Sequence, residues 1–316
     1  MTYILTDGEL QTLISISGQE TNDMACVTLN DTSKRKIMSG NLEYRASGLI
    51  KTGLLEVGPD GKYRATHEGR LAAGALCAPE TSVCIGRKNT SDPVFKALKY
   101  NGLWIVYGAV SEQKLNMLTL YFSAATLGDW IDEQFVRPTP KDVEASDSIN
   151  VTFSYDEWYL WLMSQLVFTR RDLTDKQGRL YFDTEELCNQ TALTYLADSL
   201  RALGRTEAFD SLHGIFVSPM NRRILNAIKG LVKKGILNAA VEKDRELKLS
   251  YTDTAINWLD NDMLTDTLFF SKQKNGKHNA MILQLRRTGI CAIYDTGSAV
   301  KAVTIGDIPW SAYLEG

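Results

Sequence analysis

Asp295-Thr296-Gly297-Ser298 follows the apolar pair Ile293-Tyr294 and has the residue types of a hydrolytic loop that works in pairs, with two carboxylates sharing one proton. The matching segment of the first half, Gly108-Ala109-Val110-Ser111, offers no aspartate. Asp295 therefore reads as part of a polar turn between two strands, where Asp and Gly are expected. Lys51-Thr52-Gly53 and Ser111-Glu112-Gln113-Lys114 contain pieces of a serine acyl-transfer set, but in reversed chain order, and the first is explained as a helix end. A phosphate cradle needs Gly-x-x-x-x-Gly-Lys-Ser/Thr, or Gly-x-Gly-x-x-Gly between a strand and a helix, and the sequence has neither. No cofactor is expected. His67, His213 and His278 lie in separate segments without a second histidine or cysteine at ligand spacing, so no metal site is expected either. His67-Glu68 reads as a helix start. With no catalytic residue identified, the chain is read as a binding protein and not an enzyme.

The 316 residues carry 35 Lys+Arg against 38 Asp+Glu, a net charge of −3, with 44% hydrophobic residues. That is the balance of a folded globular protein long enough for two domains. The longest apolar segments, such as Trp158 to Phe168, stop well short of the roughly 18–20 residues a membrane span needs. The N-terminus has neither a basic leader nor a long apolar stretch, so the protein is expected to be cytoplasmic. Cys26, Cys77, Cys84, Cys188 and Cys291 are scattered, without a Cys-x-x-Cys pair, and read as reduced thiols.

The elements that position these residues emerge when the sequence is laid against itself. Leu49-Ile50-Lys51-Thr52-Gly53-Leu54-Leu55 matches Leu231-Val232-Lys233-Lys234-Gly235-Ile236-Leu237 at an offset of 182. Each is a helix end: apolar residues face inward, lysine sits in the last turn, and glycine supplies a left-handed cap before a strand opens. Both copies then pass through a polar turn, marked by Pro59-Asp60-Gly61 in the first, into a second short strand ending in Thr66 or Thr252, and on into a helix. This is the layout of a winged helix-turn-helix. Alternating segments follow: Ser82–Arg87, Pro93–Lys99, Gly102–Val110 and Asn116–Tyr121 in the first half, Thr267–Lys272, Asn279–Arg287, Gly289–Asp295 and Ser298–Ile305 in the second. They read as antiparallel meanders, each leading to a helix with a tryptophan, Trp130 or Trp310.

The fold expected is thus α+β and internally duplicated, each half a winged-helix-like unit with a four-stranded antiparallel meander and a closing helix. Arg137 to Ser148, rich in prolines, small residues and charges, reads as the connector, which divides the chain into residues 1–144 and 145–316. The second half carries a helical insertion at about 170–215. There Asp183 and Glu186 form a capping-box pair ahead of an apolar helical pattern.

Two binding roles compete. Around the first winged unit, eight basic residues from Lys34 to Arg70 outnumber four acidic ones, and residues 222–248 are basic as well. These favour a DNA-binding transcriptional regulator, whereas the acidic total and the attached sheets disfavour it. A helix pair, hairpin, meander and tryptophan-bearing helix, repeated over nearly the whole chain, resembles the EspG-like chaperones of type VII (ESX) secretion. The stretches that carry the resemblance are Leu49–Leu55 with Leu231–Leu237, Ala78-Pro79-Glu80, and Gly102–Val110 with Gly289–Asp295. It implies two quasi-symmetric α+β halves and a bacterial cytoplasmic chaperone that holds a protein partner, a helical secretion substrate. From the residues themselves, Glu157–Phe168 is apolar nearly all round. Either the monomer covers this helix on several sides, or Trp158, Trp161 and Phe168 anchor a partner. The meander edges offer strand addition as a second route.

Overall fold

The computed structural model describes residues 1–27, 41–87, 95–110, 115–121, 123–136, 149–169, 181–182, 222–241, 247–259, 264–286 and 289–316. Helices and antiparallel strands alternate in it, so the fold is α+β. The expected connector at 137–148, the Asp183–Glu186 capping box and nearly all of the insertion lie outside these residues.

The chain opens with β1 (Thr2–Thr6), in which Tyr3 and Leu5 are buried and their neighbours exposed. Thr6 then caps α1 (Asp7–Ser17): its hydroxyl accepts from the Glu9 amide, and the Glu9 carboxylate accepts from the Thr6 amide at 2.9 Å. Next come α2 (Leu42–Lys51), the hairpin of β2 (Leu55–Val57) and β3 (Tyr63–Ala65), and α3 (His67–Cys77). The strands β4 (Thr81–Arg87), β5 (Phe95–Tyr100), β6 (Leu103–Val110) and β7 (Leu115–Tyr121) form an antiparallel meander, and β1 returns to pair with β7, Tyr3 opposite Leu118. Asn101-Gly102, with φ of 50° and 74°, makes the tight β5–β6 turn that such positive angles suit. After that, α4 (Ala124–Ile131) runs into a π-helical turn at Asp132–Val136.

The second half runs in a similar order, with one further short strand between its first two helices. β8 (Asn150–Phe153) leads to α5 (Tyr155–Thr169), β9 (Tyr181–Phe182), α6 (Arg222–Lys233), the hairpin of β10 (Leu237–Val241) and β11 (Leu247–Tyr251), and α7 (Asp253–Leu259). Then follow β12 (Leu264–Lys274), β13 (Lys277–Arg286), β14 (Gly289–Asp295), β15 (Val300–Ile305) and α8 (Trp310–Glu315). β8 pairs with β15, Phe153 opposite Val300, as β1 does with β7. The edge strands β1 and β8 are additions to the sequence reading.

The two helix ends agree bond for bond. Gly53 and Gly235 have φ of 79° and 69°. Their amides donate to Ile50 and Val232 carbonyls at 3.0 Å, and the next amides, Leu54 and Ile236, reach back to Leu49 at 2.9 Å and Leu231 at 3.0 Å. This pair of bonds closes a helix through a left-handed residue. Thr66 and Thr252 then tie each hairpin to its helix end, their hydroxyls donating to Gly53 and Gly235 carbonyls at 2.8 and 2.7 Å while capping the next helix. Ample space surrounds both glycines. Valine at either site therefore costs backbone strain alone, about 1–2 kcal/mol, and each variant is expected to melt several degrees lower. An unchanged melting temperature for both would contradict the strain argument.

By compactness the chain forms two units: Met1–Arg137 with Phe270–His278 and Ile308–Gly316, and Pro138–Phe269 with Asn279–Asp307. A cut at 145 follows the repeat in sequence; compactness instead groups α8 and the β12–β13 tip with the first unit. The cause is local packing: Trp310 sits against Gly128, and Lys272 and Lys274 donate to the Tyr313 and Glu315 carbonyls at 2.7 and 2.8 Å. In the first unit, Leu98, Ile105 and Leu118 join α1, α2 and α3 in one core. Trp104 and Val106, which alternate with Ile105, are fully buried outside that cluster. With both faces covered, β6 is a continuous apolar run. The second unit's core gathers Phe153, Trp158, Trp161, Leu231, Tyr251, Trp258 and Ile293.

Candidate partner-binding faces

The chemical candidates resolve into structural parts. Asp295 Oδ1 accepts from Tyr155 Oη and from the Gly297 amide, both at 2.7 Å, which makes a side-chain-supported turn between β14 and β15. His67 opens α3 behind its Thr66 cap. Cys26, Cys77, Cys84 and Cys291 are free thiols, and burial pushes Cys291 up to about 12. Cys188 and His213 lie outside the described residues.

The aromatic helix turns its tryptophans inward, and the reading of Trp158 and Trp161 as exposed anchors is corrected. They are 2% and 0% exposed. Trp161 stacks on Trp258 at 4.8 Å and meets Tyr251 edge-on, while Trp158 packs on Phe153. A helix apolar on every side has to be covered on every side, and Glu157–Leu162 and Ser164 are all buried. The side chain of Phe168 lies outside the described residues.

Among the described residues the large exposed apolar side chains are Met1 and Ile4 at β1 and, on the two helix–hairpin units, Tyr44, Ile50 and Val57 in the first and Val232 and Val241 in the second. At 100° per residue, Glu43, Tyr44, Ser47, Ile50 and Lys51 share one outward arc of α2, turned away from buried Ala46 and Leu49. Tyr44 is 80% exposed, Ile50 36%, and Val57 on the adjoining β2 56%. A tyrosine this exposed presents a flat apolar ring and a polar tip, the combination that anchors interfaces. The same arc of α6 is different in character. It carries Arg222, Asn226, Lys229, Val232 and Lys233, all exposed, with Leu225 half-buried at its margin, and it is turned away from buried Ile224, Ala227, Ile228 and Leu231. Two other cations of this segment are engaged: Arg223 grips Asp156 through two bonds of 2.9 and 2.6 Å, and Lys234 binds Glu157 at 2.6 Å.

Tyr44 escaped the sequence reading because one aromatic in an amphipathic helix looks like a core residue. Setting it against Asn226, its partner at offset 182, was the available signal. A core position does not exchange tyrosine for asparagine without leaving a buried amide to satisfy, so the pair marks a face turned to solvent.

Among the described residues no helix is long and apolar enough to cross a membrane. No family model matches this chain, and no curated protein does. Among solved structures, the chain is similar to the Mycobacterium tuberculosis type VII secretion system chaperone EspG5, solved in complex with the PE25–PPE41 dimer. The likeness has a TM-score of 0.45 and 10% identity, over 100% of this chain and 94% of that one.

Proposed function

We propose that the protein is a non-catalytic cytoplasmic adaptor that holds a protein partner, built from two copies of one winged-helix-plus-meander segment. The duplication is supported by hydrogen bonds that recur residue for residue: Thr6–Glu9 with Ser154–Glu157, Gly53 with Gly235, and Thr66 with Thr252. The binding role is carried by the exposure of Tyr44 and Ile50 on α2 and of Val57 on the adjoining strand. Resemblance in layout to the type VII secretion chaperones makes a helical secretion substrate the partner class to test.

The chain is to be co-expressed with helical substrate pairs from type VII loci of its own genome and run by gel filtration with light scattering. A soluble complex is expected for the wild type, and Tyr44→Ser/Ile50→Ser should weaken it at least about 10-fold, the loss expected at interface anchors. Failure of every substrate to be held in solution would overturn the chaperone reading. A complex untouched by the double substitution would move the surface away from α2.

A further inference from the structure

We infer that the outer face of α6, with Arg222, Lys229 and Lys233, is a docking surface for the backbone of duplex DNA. This goes beyond the adaptor reading and uses the second unit. The helix RRILNAIKGLVK contains no acidic residue. Arg222, Lys229 and Lys233 fall within a narrow sector of its exposed side, and at 1.5 Å per residue their row is about 16 Å long. Among the described residues none of the three pairs with a carboxylate, while Arg223 and Lys234 beside them do. Three such cations in a row, in a chain of net charge −3, form a local positive field that a polyanion would neutralise.

The surroundings of the row favour a duplex over an acidic peptide. An α-helix fits the major groove, and Arg and Asn are the side chains that pair with guanine and adenine edges there. Asn226, exposed between Arg222 and Lys229 in the N-terminal half of α6, stands in the part that such helices present to bases, while the three cations hold the backbone. The next element is a hairpin whose first strand is exposed from Asn238 to Val241, in a sheet ordered β10-β11-β9. An acidic peptide would need apolar anchors as well, and beside Val232 this arc presents only the half-buried Leu225. The matching helix of the first unit keeps less of this row: Glu43, Tyr44 and Ser47 stand where α6 has Leu225, Asn226 and Lys229, and Lys51 stands opposite Lys233.

The test is fluorescence anisotropy of the full chain with a labelled 20-base-pair duplex, at salt from 50 to 200 mM, with labelled poly-glutamate as a second probe. Three phosphate contacts predict affinity falling about 40-fold across that range. Arg222→Gln/Lys229→Gln/Lys233→Gln should abolish this dependence and weaken binding at 50 mM at least about 10-fold. Lys229→Glu alone should weaken it several-fold, which keeps the inference testable if the triple variant is unstable. Lys51→Gln/Lys62→Gln/Arg64→Gln, which removes equal charge from the first unit, should leave affinity within about two-fold. The inference is overturned by no duplex binding at 50 mM, by poly-glutamate binding in place of duplex, or by equal losses from both triple variants. Since Tyr44 and Ile50 are untouched, partner capture by these variants reports separately on the adaptor reading.

Discussion

Gly230→Ala is expected to destabilise the second unit by about 3 kcal/mol, the scale for giving up two charge-assisted hydrogen bonds on a nearly buried carboxylate. Alanine in a helix interior is ordinarily better than glycine by about 0.5–1 kcal/mol, so the sign itself is diagnostic. Glu157 of α5 leans against α6 at Gly230, and a Cβ there would overlap its carboxylate. That carboxylate is pinned: Oε2 accepts from the Ser154 amide and Oε1 from Lys234, each at 2.6 Å, and the side chain is 9% exposed. Making room for a methyl group means giving up the cap and the ion pair together. A melting temperature lower by about 6–12 °C follows for a unit of this size. In a Glu157→Ala background the obstruction is gone, and Gly230→Ala should become neutral or stabilising. An equal loss in both backgrounds would refute the mechanism. Gly48 meets Glu9 in the same way in the first unit. There the carboxylate is partly exposed and can swing into water, so Gly48→Ala should cost only about 1 kcal/mol.

That Gly–Glu contact shows where a sequence speaks and where it falls silent. The cap at Gly53 and Gly235 was legible because a left-handed helix end is a local event, decided by one residue and its neighbours. The meander strands were legible for a similar reason: alternation and Asn101-Gly102 act over a few residues, and each of the eight segments overlaps a strand, with ends that differ by a few residues. β1 was missed although Tyr3 and Leu5 alternate, because a short strand before a helix is specified by its partner β7, more than a hundred residues away. The same holds for β8. Trp158 and Trp161 could be read as core or as surface, since periodicity reports which face is apolar and says nothing of what covers it. The grouping of α8 with the first unit had no local signal at all. It depends on Gly128, Asp132, Lys99 and Trp104, none of them near Trp310 in sequence.

Trp310→Ala provides the test of that grouping, with an expected cost of about 3–5 kcal/mol for emptying a buried tryptophan site. The indole is 5% exposed, lies 5.2 Å from the Phe270 ring, and donates to Asp132 Oδ1 at 2.7 Å. Polar contacts at the far end of α8 cannot replace this anchor. Glu315 accepts from Lys99 and from Trp104 Nε1, and the Lys99 bond holds its carboxyl below the usual range. The stabilisation from that shift is present above the unfolded carboxyl value and is lost as pH falls through the folded one. With Glu315 about half exposed, it is a minor contribution. Acid should therefore loosen α8 slightly, whereas Trp310→Ala should release it at every pH. If α8 belongs energetically with the first unit, amide exchange should accelerate in Thr81–Arg87 and Leu103–Val110 and stay unchanged in Gly289–Asp295. Faster exchange confined to Gly289–Asp295 would return α8 to the second unit, as chain order alone suggests.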